Sequence, residues 1–304
     1  MRRSAILIGI CLMGAVATAQ DAVIRPDAPI TCDRCDAWNA PRKPFPVFGN
    51  TYYVGPAGLS SILIASDKGH ILLDGALPQS AALIDASIRS LGFRTRDIRL
   101  IVTSHEHFDH VGGVAALQRA SGATVAFSAI GAQALTQGGP TQDDPQGGPG
   151  SVGFPRVRNV RAVSDGETLR VGELAITAHL TPGHTPGGTT WTWRACEGAR
   201  CMNIVYADSL NAVSLPAFRF TERPGRVEAF RQTIAKVQAL PCDILLTVHP
   251  EFIDLDRKMR IRADVARPNP FIDPKACQTY GTNAIRALDR RVDSEKPPAA
   301  ARPK

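Results

Sequence analysis

Seven consecutive residues, Ser104-His-Glu-His-Phe-Asp-His110, constrain the fold of this chain more than any other feature. Four side chains that bind metals, His105, His107, Asp109 and His110, fall within six positions. They follow directly on residues 98–103, a short and almost wholly apolar run that reads as a strand buried on both faces. His105 and His107 lie two apart, so an extended turn points both the same way. Asp109 and His110 come where the chain must turn toward a helix. A hydrophobic core has no use for three imidazoles and a carboxylate at this density, whereas both groups are good zinc ligands. Gly112 and Gly113 let the start of that helix approach the cluster closely.

The cluster cannot close two metal sites alone. Four more histidines are available: His70, His179, His184 and His249. His184 sits in Thr181-Pro-Gly-His-Thr-Pro-Gly-Gly, a turn-rich stretch after a strand. His249 stands in Val248-His249-Pro250, again where an apolar strand (244–248) ends. Both share the placement of the first cluster. His179 lies within an alternating strand and His70 beside a turn glycine, so both read as structural.

The wider pattern alternates strands with helices. Runs at 47–54, 61–65 and 70–73 read as strands, and 78–91 carries apolar residues at helical spacing. After the cluster come a helix at 111–119 and a strand at 124–127. Residues 138–155, rich in Gly, Pro, Asp and Gln, form a long loop of the kind that often serves as a lid. Strands resume at 157–163, 168–171, 174–180, 188–194 and 202–207, followed by helices at 228–240 and 276–292 around the strand at 244–248. Two halves result, each ending an apolar strand in a histidine-bearing loop. The expected architecture is α/β: an αββα sandwich of two mixed β-sheets with external helices. Within it, 46–293 is the catalytic domain, 20–45 an irregular lead-in and 294–304 a disordered tail.

Residues 1–19 have a positive start, an apolar run and a small-residue Ala-Thr-Ala end, the pattern of an export signal. The run is shorter than the roughly 20 residues that span a bilayer, so no membrane anchor is expected, and the destination is the periplasm or the exterior. Six of the seven cysteines follow this segment. An even number in an oxidising compartment favours disulfides, although six cysteines allow 15 pairings and sequence cannot choose among them. Pairing of neighbours gives Cys196–Cys201 and Cys242–Cys277, and leaves Cys32 with Cys35. A structural zinc on Cys32 and Cys35 would lack a second Cys-x-x-Cys. The net charge of +7 is modest, and Lys and Arg are scattered, which argues against a nucleic-acid partner. A monomer is the default expectation.

The pattern His-x-His-x-Asp-His with distant later histidines resembles the metallo-β-lactamase superfamily, and in finer detail its subclass B-three (class B) β-lactamases. The resemblance runs over about 45–290. It rests on Asn50-Thr-Tyr-Tyr-Val-Gly, Ile71-Leu-Leu-Asp-Gly, the cluster, His184-Thr-Pro-Gly-Gly-Thr-Thr-Trp-Thr-Trp193, Tyr206-Ala-Asp-Ser-Leu and His249-Pro250. The cysteines at 196, 201, 242 and 277 look like disulfides of some members. The resemblance implies two zinc ions, one on His105, His107 and His184, the other on Asp109, His110 and His249. A cysteine ligand of other relatives is replaced near its position by Ser209, which in such enzymes helps bind the substrate carboxylate. A second serine usually follows two residues later; here Asn211 stands there, and an amide still donates hydrogen bonds.

The implied reaction is hydrolysis of penicillins, cephalosporins or carbapenems by a hydroxide held between the zinc ions, with Asp109 orienting it as the catalytic carboxylate. Glu106, between two ligands, would put a negative charge near the site rim. The alternative within the fold is a glyoxalase II- or lactonase-like thioester or ester hydrolase. Those relatives bridge both metals with an aspartate, and Asp208 sits close to that position. The export signal, the cysteine set and the Ser209 neighbourhood favour the β-lactamase.

Overall fold

The computed structural model describes residues 24–296 with the exception of Val265. The export signal read at 1–19 and residues 297–304 of the expected tail lie outside the described residues, whereas Ser294 ends the last helix and Glu295 is buried. A one-turn helix, α1 (Cys35–Trp38), precedes the first sheet. That sheet takes β1 (Phe45–Phe48), β2 (Thr51–Tyr53), β3 (Ile62–Ile64), β4 (His70–Leu73), β5 (Ile98–Val102), β6 (Thr124–Ser128) and β7 (Val160–Val163), in spatial order of sequence. The first four strands pair antiparallel and the last three join in parallel. Its parallel connections carry α2 (Ala81–Ser90), α3 (Phe108–Val111), α4 (Val114–Ser121) and α5 (Ala129–Gln137).

The second sheet comprises β8 (Thr168–Val171), β9 (Leu174–Leu180), β10 (Thr189–Glu197), β11 (Arg200–Ala207) and β12 (Ile244–Thr247). It is antiparallel except for the β11–β12 pair. α6 (Arg226–Ala239) lies between β11 and β12 in the chain; α7 (Leu255–Arg262) and α8 (Ala276–Ser294) follow.

Side-chain alternation assembles the layers. Ile62, Ile64, Ile71, Leu73, Leu100 and Val102 face the second sheet, where they meet Ile176, Trp191, Ile204, Tyr206 and Leu246. The intervening Leu63, Leu72 and Ile101 face the other way and pack under Ile84, Ile88, Val114 and Leu117 of α2 and α4. Val205 and Leu245 likewise turn outward against Phe230, Ile234, Ala284 and Leu288 of α6 and α8. The central strands are apolar on both faces because each face carries its own core. The result is the αββα sandwich of two mixed sheets, in four layers.

Departures from the sequence reading have local causes. The run 47–54 is a hairpin, β1 and β2, because Gly49 adopts φ +54° and turns the chain before Asn50. The helix read at 111–119 is two, α3 and α4. α5 and α7 were not expected. The lead-in is tied down by Cys32–Cys35, the Arg34–Glu251 ion pair (3.0 Å) and the packing of Trp38 on His249. The other bridges are Cys196–Cys201, whose residues face each other across β10 and β11, and Cys242–Cys277, which fastens α8 to the start of β12. Among the described residues no helix is long and apolar enough to cross a membrane.

Candidate metal centre

The C-terminal ends of β4 and β5 in one sheet, and of β9, β11 and β12 in the other, open onto a common edge. Their loops carry Asp74, the 104–110 cluster, His184, Asp208–Ser209 and His249. Three polar bonds lock the edge: Trp191 Nε1 donates to the Thr103 carbonyl (2.9 Å), the Thr189 amide to the Ser104 carbonyl (2.7 Å), and the Tyr206 hydroxyl to Asp74 Oδ2 (2.7 Å).

All six predicted ligands meet there. The ring centroids of His105, His107 and His184 are mutually 4.7–4.9 Å apart. His105 and His110 are 4.2 Å apart, and His110 and His249 4.9 Å. The nearest ligand atoms of His105, His107 and His184 all lie within 4.8 Å of one another; those of His105, Asp109 and His110 do the same. His249 joins the second group through Asp109, whose Oδ2 lies 3.2 Å from His110 Nε2 and 3.4 Å from His249 Nε2. His70 and His179 lie outside: His70 rests edge-on against Phe93, and His179 pairs with Thr192 (2.9 Å).

Four of the five imidazoles are held from behind. His105 Nδ1 faces Asp208 Oδ1 (2.7 Å), His184 Nδ1 the Asn211 carbonyl (2.8 Å), and His249 Nδ1 the Gly58 carbonyl (3.2 Å). His110 Nδ1 is 3.8 Å from Asp74. These rings turn Nε2 inward. His107 is reversed: its Nε2 faces Asp144 (3.2 Å), and its Nδ1, on the side of the centre, also meets the Gln146 side-chain amide (3.3 Å). Outer carboxylates and carbonyls of this kind fix the tautomer and orientation of metal-bound histidine.

The electrostatics call for cations. Asp74, Glu106, Asp109, Asp144 and Asp208 are all buried around the imidazoles. Burial raises the Asp74 and Glu106 carboxyls above their usual range, and Asp208 far above it. Burial also pulls His105 well down and His184 to about 3, with neighbouring imidazoles adding to the effect. Burial alone would raise Asp109, but His110 and His249 hold it well below the usual carboxylate range. Asp144 lifts His107 against the opposing effect of burial. Both ring nitrogens of His110 are buried without a hydrogen-bond partner. A divalent cation at the centre would take the inward Nε2 and offset the carboxylates, so the donor set fits bound metal.

A groove of about 320 Å³ opens over the cluster. Ser209 and Asn211 line one wall with Val213 and Leu215; Pro140, Gln146 and Val152 from the long loop line the other, and the Leu215 amide donates to the Pro145 carbonyl where the two meet (2.9 Å). Trp38 and Arg34 of the lead-in close a third side. These two, with Asp144 and Gln146, escaped sequence reasoning; only the Gly/Pro-rich loop signalled the latter pair. Glu106 is not at the rim. It is wholly buried and accepts hydrogen bonds from Thr185 Oγ1 and the Gly187 amide (both 2.8 Å).

Two packed mixed sheets between helices, with a histidine-rich metal-binding edge, define a metal-dependent hydrolase scaffold, and comparison with known proteins agrees. The family model of the metallo-beta-lactamase superfamily matches residues 54–198. The chain belongs to that superfamily.

Within it, the Rm3 metallo-beta-lactamase is 47% identical, with 88% of this chain and all of that one covered at a TM-score of 0.85. MEM-A1, a subclass B3 metallo-beta-lactamase from a soil metagenome library, is 48% identical over 85% of this chain and 98% of its own (TM-score 0.82). A hydroxyacylglutathione hydrolase of Cereibacter sphaeroides is 27% identical over 218 residues, 70% of this chain and 74% of that protein.

Proposed function

We propose that the protein is an exported, monomeric β-lactamase that opens the ring of penicillins, cephalosporins and carbapenems with two zinc ions. The observation that carries this reading is the convergence of five imidazoles and Asp109 on one groove, with Ser209 on its wall and Asp208 behind His105. His105, His107 and His184 would hold one ion; Asp109, His110 and His249 the other. Zinc in such a site brings the pKa of a bound water to about 7 and polarises a carbonyl.

The chain's own residues supply the rest. Asp109 Oδ2, between His110 and His249, is the ligand placed to orient the attacking water. The Ser209 hydroxyl and Asn211 side chain take the carboxylate of the bicyclic substrate. Asn211 also gives its carbonyl to His184, so the substrate anchor and a ligand share one backbone segment. Trp38, Phe108, Val152, Val213, Leu215 and Phe252 offer apolar walls to the substituents, and the exposure of Val152 (41%) and Val213 (48%) at the mouth suits a binding groove. The three disulfides fit an oxidising compartment.

The similarity to hydroxyacylglutathione hydrolase favours thioester hydrolysis as the second reading. Against it, Asp208 Oδ1 is engaged by the outward nitrogen of His105. Assaying a carbapenem and a glutathione thioester side by side tests both. Ring opening that a chelator abolishes and zinc restores is the expected result; preferential thioester cleavage would overturn it.

A further inference from the structure

Glu106 lies in the sequence between two proposed ligands yet turns away from the groove. Both carboxylate oxygens reach a loop 79 and 81 residues further on: Oε2 accepts from Thr185 Oγ1 and Oε1 from the Gly187 amide, each at 2.8 Å. That loop carries His184 and is closed on itself by the Thr181 amide to the Gly188 carbonyl (2.8 Å) and the Gly183 amide to the Thr185 carbonyl (3.0 Å). The opposite face of Gly187 is held as well, its carbonyl accepting from Ser128 Oγ (2.7 Å) and Thr189 Oγ1 (3.0 Å). A side chain at 187 would put its Cβ 2.6 Å from Glu106 Oε2, so only glycine admits the carboxylate this close.

We infer that Glu106 is a positioning residue that ties the His184 loop to the 104–110 loop and thereby sets the three-imidazole site. The inference rests on the proposed metal-binding function. His105 and His107 descend from β5, His184 from β9 in the other sheet. Their mutual placement therefore depends on what joins the two loops. The Thr189–Ser104 backbone bond acts past the end of the His184 loop; Glu106 acts within it, one residue beyond His184 at Thr185. Glutamine at 106 preserves both contacts, its oxygen accepting from Gly187 and its amide donating to the Thr185 hydroxyl, which can also accept. Alanine removes both.

The test compares the parent with Glu106→Gln, Glu106→Ala and Thr185→Val. Zinc affinities come from competition with a chromophoric chelator on metal-free protein, and the visible spectrum of the cobalt(II)-loaded protein reports ligand geometry. Glu106→Ala is expected to weaken one of two sites by about tenfold to a hundredfold and to change the cobalt spectrum. Glu106→Gln should keep the parent's affinity and spectrum, and Thr185→Val should fall between. An unchanged Glu106→Ala protein, or a Glu106→Gln protein as weak as Glu106→Ala, overturns the proposal. Should circular dichroism find Glu106→Ala unfolded, parent-like affinity in Thr185→Val overturns it instead. A parent that holds no zinc refutes the functional reading itself, separately from the behaviour of the variants.

Discussion

Asp208 presents one oxygen to His105 Nδ1 and leaves the other, Oδ2, buried without a partner. An outer-shell role and a metal-bridging role predict different variants. If Asp208 orients His105, Asp208→Asn keeps an acceptor for the ring nitrogen and retains most zinc, while Asp208→Ala loses affinity by about tenfold to a hundredfold. If it bridged two ions, both variants would fail alike; zinc retained on dialysis against a graded chelator decides. Glu295, far from the groove, offers a second residue-level test. Its carboxylate accepts from the Phe220 and Thr221 amides (3.1 and 2.8 Å) and from Arg291 Nε (2.6 Å). Burial opposes ionisation, but Arg291 and those amides hold its pKa below the usual value. A depressed folded pKa contributes stability above the unfolded value of about 4.3, lost as pH falls through the folded one. Glu295→Ala should therefore be less stable by about 1–2 kcal/mol near pH 7 and converge on the parent as pH falls through the lowered folded pKa in denaturant titrations; a gap that persists in acid would contradict this. The six ligand candidates were legible because metal-binding residues concentrate at strand ends. Asp144 and Asp208 were not legible as partners, since 37 and 103 residues separate them from the imidazoles they orient.

At the level of elements, legibility followed periodicity. β4, β8 and β9 fall where alternation or apolar runs placed them. α5, with the sequence AIGAQALTQ, has too few large apolar residues to draw a helical stripe; it forms because Ser128 caps it, accepting from the Gly131 amide (3.1 Å). α7, LDRKMRIR, is too basic to read as amphipathic and settles its partly buried Met259 on the core between the sheets. The turn at Gly49–Asn50 could have been recognised from its residue types. Disulfides staple elements unequally. Chain-entropy reasoning assigns about 4 kcal/mol to Cys242–Cys277, which spans 35 residues, and about 2 kcal/mol to Cys196–Cys201, which spans 5 and joins strands already paired. Replacing each pair by serines should lower stability in that order in urea unfolding. Equal losses would mean that native-state packing at the bridges outweighs the unfolded-chain effect.

The whole molecule is two sheet-and-helix halves whose helices lie outside and whose ligand loops meet along one edge. Each half has its own outer core, and the interior is shared. The buried carboxylates and crowded imidazoles sit where the halves join, so cations bound there would act as a cross-brace: His105, His107, Asp109 and His110 come from one sheet, His184 and His249 from the other. Removing metal should therefore destabilise the fold as a unit. A ligand bound only by the folded state stabilises it by about 4.1 kcal/mol at a concentration 1,000 times its dissociation constant, so two ions supply roughly twice that if they bind independently. Calorimetric scans with zinc in excess should give a Tm that rises with its concentration, and chelation should lower it well below that of the loaded protein. Ligands must be deprotonated to bind, so the difference between loaded and metal-free protein should shrink as pH falls and imidazoles protonate. A Tm insensitive to chelator at neutral pH would mean that the halves hold their loops in register without cations, and that the convergence of six ligands is a product of the fold alone.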